Sequence, residues 1–64
     1  MKATKIELEY TRSLFEDARL RSGAKQRRWL RENGFPEDFD QLTANMAKEV
    51  ARELVKDIYW TETP

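Results

Sequence analysis

The chemistry this sequence offers is the recognition of phosphate by guanidinium and ammonium groups. Between Arg12 and Arg31 stand seven basic residues (Arg12, Arg19, Arg21, Lys25, Arg27, Arg28 and Arg31) against two acids, Glu16 and Asp17, a surplus of five positive charges. From Glu32 to Pro64 three bases meet eight acids, a deficit of the same size, so the zero formal net charge conceals a polarised chain. Arginine forks match phosphate oxygens, and each phosphate neutralised releases counterions, which makes such binding sensitive to salt. The competing reading of the same residues is a solvated charged face, part of it satisfied by the acidic half of the chain.

Other chemistries lack their residues. The 64 residues include no histidine and no cysteine, which removes the common general base, the thiolate nucleophile and the soft metal ligands. Ser13 and Ser22 have no base of the triad type, and two isolated glycines, Gly23 and Gly34, cannot form a phosphate-cradling loop. The expectation is a non-enzyme with no catalytic residue, no cofactor and no metal. A start as charged as Met1-Lys2-Ala3-Thr4-Lys5 reads as having no signal peptide. No apolar run approaches the roughly 18–20 residues that span a bilayer, so a cytoplasmic location without membrane contact is expected.

These side chains need elements to hold them, and the hydrophobic periods supply a plan. In residues 4–11, Ile6, Leu8 and Tyr10 alternate with charged residues, the period of a half-buried strand. A short strand is favoured there, for which the same strand of a second chain could serve as partner; a helix is the alternative. Ser13-Leu14-Phe15-Glu16 has the form of a capping box. It predicts a first helix over about Leu14–Arg21 that buries Leu14, Phe15 and Ala18, with Arg19 and Arg21 in its last turn. The second helix, about Ala24–Asn33, should end at Gly34 in a left-handed conformation. At 100° per residue Arg27, Arg28 and Arg31 fall within about 100° of one another, with Trp29 and Leu30 opposite as the core face.

The turn Phe35-Pro36-Glu37-Asp38 should start a third helix continuing to about Tyr59. Its spine is Phe39, Leu42, Met46, Val50, Leu54 and Ile58, flanked by Ala47, Ala51 and Val55. That apolar arc of about 180° is wider than packing on one side requires, and suits a central helix or a dimer interface. The rows Lys48/Arg52/Lys56 and Glu49/Glu53/Asp57 read as a solvated face with i, i+3 pairs rather than a cation site. Trp29 and Phe39 are expected in the core, and Tyr59-Trp60 marks either the helix end or a contact surface. The ends, residues 1–3 and 61–64, are expected to fray.

The run Gln26-Arg27-Arg28-Trp29-Leu30-Arg31-Glu32-Asn33-Gly34-Phe35 resembles a signature, Gln-x-Arg-Trp-Leu-x-x-x-Gly-hydrophobic, of short phage and prophage domains of excisionase-like, helix-turn-helix character. The resemblance covers about ten residues. It implies that the basic helix is offered to DNA, with Gln26, Arg27, Arg28 and Arg31 on the reading face and Lys25 beside them. Those domains carry a threonine-glycine turn upstream, where this chain has Ser22-Gly23, and strand-like residues after the helix, where this chain has a long acidic helix. The resulting expectation is a mainly α, small three-helix domain, with the N-terminal strand and dimer as its open features. Its expected role is a DNA-binding or accessory regulatory module. The alternative is a protein-interaction module or inhibitor docking on a host protein, or on its own copy, through helix three and the charge asymmetry.

Overall fold

The computed structural model describes residues 1–60. Among them the chain forms α1 (Lys5–Asp17), α2 (Gly23–Glu32), a single 3₁₀ turn (Phe39–Gln41) and α3 (Ala44–Trp60). No described helix is long and apolar enough to cross a membrane. Residues 61–64, expected to fray, lie outside the described part.

The expected N-terminal strand is a helix. Thr4 caps α1 with a full capping box: the Glu7 amide donates to Thr4 Oγ1 (3.2 Å), and the Thr4 amide donates to Glu7 Oε1 (2.8 Å). Two runs of the chain spell this motif, Thr4-x-x-Glu7 and Ser13-x-x-Glu16, and the first is the one used. The hydrogen bond from the Thr4 amide and, after it, the Thr4 hydroxyl hold the Glu7 carboxyl below its ordinary value of 4.5. The alternation that suggested a strand is not a buried face, because Ile6 and Tyr10 are 78% and 57% exposed. The stripe that matters is Thr11, Leu14, Phe15 and Ala18, spaced three, four and seven residues apart, which is helical spacing. With no strand there, the basis for strand pairing across a dimer falls away.

Residues 1–3 meet the start of α3. Lys2 bridges Thr43, the Ala3 amide donates to the Leu42 carbonyl (2.9 Å), and the Ala44 amide donates to the Met1 carbonyl (3.0 Å). This contact explains why the expected long third helix is broken. The Leu42 carbonyl serves Ala3 instead of Met46, and the Met46 amide turns to Thr43 Oγ1 (3.1 Å), so Thr43 starts a new helix. Asp38 caps the short 3₁₀ turn before it, accepting from the Asp40 amide (2.9 Å).

α1 and α3 lie side by side and run the same way. Ala3 meets Leu42 at one end, Tyr10 and Thr11 share a groove with Ala47 and Ala51 midway, and Ala18 shares a cleft with Ile58 at the other end. α2 covers one side of this pair. Phe15, Leu30, Val50 and Leu54 are fully enclosed, and Leu14 and Trp29 join them in one cluster, with Phe35, Phe39, Val55 and Ile58 packed at its edge. Burying each large apolar side chain contributes about 1.5–3 kcal/mol. Trp29 and Leu30 thus form the core face of α2 as expected, while Phe39 reaches the edge of the core rather than its centre. Phe15 meets Trp29 and Phe39 edge to face (5.5 and 5.9 Å between centroids), and Trp29 stacks on Phe35 (6.2 Å).

Both α1 and α2 end in the same hydrogen-bonded stop. At α2 the Gly34 amide donates to Arg31 O (3.1 Å) and the Phe35 amide to Leu30 O (2.8 Å), with Gly34 left-handed at φ 81°. At α1 the Arg19 amide donates to Glu16 O (2.9 Å) and the Leu20 amide to Phe15 O (2.8 Å), with Arg19 left-handed at φ 67°. This is the Schellman pattern, and in each case the following residue, Leu20 or Phe35, packs on the core. α1 therefore stops at Asp17, four residues before the expected end, and Arg19 belongs to the turn.

Candidate nucleic-acid interface

α2 holds four of the five residues expected at the interface on its exposed side and turns the fifth inward. Ser22 starts it, accepting from the Lys25 amide (3.2 Å), and no acid occupies its first turn. Burial of Trp29 and Leu30 then fixes the rotation of the helix. Lys25, Arg27, Arg28 and Arg31 are exposed. Gln26 is half-buried, and its Nε2 donates to the Leu20 carbonyl (3.0 Å), tying α2 to the turn that precedes it.

The exposed cations divide between two flanks. Arg27 and Arg31 face the loop that follows α2. Arg31 Nη1 pairs with Glu37 Oε1 at 2.9 Å, and Arg27 lines an open cleft of roughly 580 Å³ with Arg12, Glu37, Asp38, Phe39 and Asp40. Arg12 lies over the Phe39 ring in this cleft, 4.8 Å from its centroid. Three carboxylates therefore border that flank. Lys25 and Arg28 occupy the other flank, 60° apart on the helical wheel. Arg28 pairs with Glu32 at 3.5 Å. Both ion pairs are exposed, and pairs of this kind contribute about 0–1 kcal/mol. The Arg28–Glu32 order, base before acid, is also the less favourable one along a helix. Such contacts can be exchanged for phosphate at little cost.

Arg12, Arg19, Arg21, Lys25 and Arg27 form no ion pair among the described residues. Among the described residues no group of three potential ligands is placed to hold a metal ion. On α3, Lys56 pairs with Glu53 (3.6 Å), one of the i, i+3 pairs expected there.

The signature around α2 acquires a structural account. Trp29 and Leu30 are core, Gly34 supplies the left-handed stop, Phe35 packs behind it, and Gln26 fastens the preceding turn. Of its specified side chains only Arg28 is exposed, so the motif encodes a helix and its ending more than a binding face. No protein-family model, curated protein or solved structure matches the chain.

Three residues take roles that their places in the sequence do not suggest. Asp57 Oδ2 accepts from the Trp29 indole (2.9 Å), joining α2 to α3. Glu37 and Arg12 shape the Arg27 flank. The separations of these partners, 28 residues for Trp29–Asp57 and six for Arg31–Glu37, match no local period, so nothing in the sequence announces them.

Proposed function

We propose that this protein is a small nucleic-acid-binding module that presents α2 to the phosphates of duplex DNA. The observation that carries the reading is the charge of α2: four exposed bases against one acid, with its apolar face consumed by the core. Lys25 and Arg28 make the leading contacts because their flank lies away from Glu37, Asp38 and Asp40. Arg27 and Arg31 contribute from the second flank, where Arg31 exchanges Glu37 for phosphate. The resemblance of Gln26–Phe35 to phage excisionase-like domains supports an accessory or regulatory role of phage origin.

The test is the double variant Lys25→Ala/Arg28→Ala, assayed by mobility shift on a duplex of about 20 base pairs across a salt series. Two lost phosphate contacts should flatten the slope of log affinity against log salt by about two units. The α3 control Lys48→Ala/Arg52→Ala should leave that slope unchanged. Equal slopes for wild type and the α2 variant reject the reading.

A second reading is favoured by one observation. A groove between α1 and α3 is lined by Tyr10, Ala47 and Ala51, and Ile6, Tyr10 and Tyr59 are exposed on these two helices (Tyr59 at 68%). On this reading the protein docks on another protein, or on its own copy, through apolar contacts that added salt does not screen. The same salt series separates the two: a complex that persists unchanged at high salt belongs to the apolar face. The Trp60 side chain, expected with Tyr59 to mark either the helix end or a contact surface, lies outside the described part.

A further inference from the structure

Arg19 holds a backbone conformation that L-residues adopt reluctantly, φ 67°, in the turn between α1 and α2. The same position at the end of α2 is filled by Gly34, the residue that carries no steric penalty there. Arginine has no backbone advantage at such a site, as asparagine or aspartate would through local hydrogen bonds. Nor does its side chain secure the fold by pairing. It is exposed, and although it lines a cleft with Asp17, Trp29 and Asp57, it forms no ion pair with a described residue. The remaining intramolecular benefits are the attraction of a cation to the C-terminal dipole of α1 and to the Asp17 and Asp57 carboxylates of the cleft, and salt screens both.

Arg19 borders Trp29 through their shared cleft. Lys25 lies one helical turn before Trp29, about 40° away on the wheel of α2. Arg19, through the cleft, and Lys25, on the wheel, thus both neighbour Trp29, and neither lines the cleft that holds the acidic loop 37–40.

We infer that Arg19 is a phosphate-contacting residue of the DNA surface, held in a left-handed turn so that its guanidinium extends the Lys25–Arg28 flank onto the α1–α2 turn. This rests on the nucleic-acid reading of α2 and adds to it a contact from outside that helix. Fold and binding then make opposite demands on one residue: glycine suits the backbone, and arginine suits the ligand.

The experiment uses the full chain and follows thermal unfolding and duplex binding together in Arg19→Gly, Arg19→Lys and Lys25→Ala/Arg28→Ala. At about 0.5 M salt, where the dipole contribution is screened, Arg19→Gly should raise the thermal midpoint by roughly 4 °C. At about 0.1 M salt it should weaken duplex binding by roughly fivefold to tenfold and flatten the salt slope by about 0.9 units. Arg19→Lys should retain wild-type binding within about twofold, since a point charge serves one phosphate. A stabilised Arg19→Gly with undiminished affinity and slope overturns the inference while the Lys25/Arg28 variant still upholds α2 as the interface. An Arg19→Gly midpoint at or below wild type overturns it as well, because the backbone would then carry no conflict. Wild-type protein that fails to retard the duplex removes the inference and the α2 reading together.

Discussion

The ends of α1 and α2 are the same construction built with different residues. Each closes with two reversed hydrogen bonds, each places a fully buried residue three positions before its cap (Phe15 and Leu30), and each sends the next apolar side chain, Leu20 or Phe35, onto the core. Only the left-handed residue differs, glycine at 34 and arginine at 19. A non-glycine residue there costs about 1 kcal/mol, and a nearby helix C-terminus returns about 0.3–1 kcal/mol to a cation at low ionic strength. The α2 end is therefore optimised for folding alone. The α1 end accepts a penalty for a side chain that faces water, and such departures from local preference gather where a protein meets a ligand.

Truncating the buried anchors gives the largest effects and tests the equivalence of the two ends. Phe15→Ala should lose about 3–5 kcal/mol and Leu30→Ala about 2–5 kcal/mol, read by urea unfolding, enough to unfold much of so small a domain. A loss under about 1 kcal/mol for either would show that its helix end does not rest on the core. Gly34→Ala should cost about 1 kcal/mol. The space around an added Cβ is open, with no atom within 4 Å, so the loss can come only from the φ of 81°. An unchanged stability in Gly34→Ala would erase the contrast with Arg19.

The smallest effect concerns the opposite end of α1. Glu7 has its carboxyl lowered chiefly by the hydrogen bond from the Thr4 backbone. A depressed carboxyl stabilises the folded state above its unfolded value, near 4.5, and that contribution disappears as pH falls through the folded value. The thermal midpoint of wild type should therefore fall more steeply than that of Glu7→Gln between about pH 5 and pH 3. Parallel declines would show that this cap is not linked to protonation.

Much of the second helix was legible because its signals are local. Trp29 and Leu30 on one side, the arginines on the other and Gly34 at the end all follow from the period of 3.6 and the steric freedom of glycine. The first helix resembles a strand over its first seven residues because Ile6, Leu8 and Tyr10 alternate with charged residues, while its buried stripe begins only at Thr11. Local alternation gave the strand, and the choice was made by the stripe through Thr11, Leu14 and Phe15 meeting α3. At the interface, sequence reasoning found the surplus of charge but not its division. The resemblance implies that Gln26 is a reading-face residue, yet its place on the wheel between Trp29 and Leu30 turns it inward, where the Leu20 carbonyl claims it, and Arg31 looks unpaired until the loop brings Glu37 to it.

The sequence by itself determined a helical chain with a charged exterior, the rotation of α2 and its stop at Gly34, since these depend on side chains within a few positions of each other. The tertiary structure alone decided the break at Leu42, where Ala3 captures a carbonyl that a continuing helix would need, and the Trp29–Asp57 bond across 28 residues. It also decided that Arg19 turns left-handed. The stop at α1 depends on Leu20 reaching the core, and a chain read residue by residue does not yet contain that core.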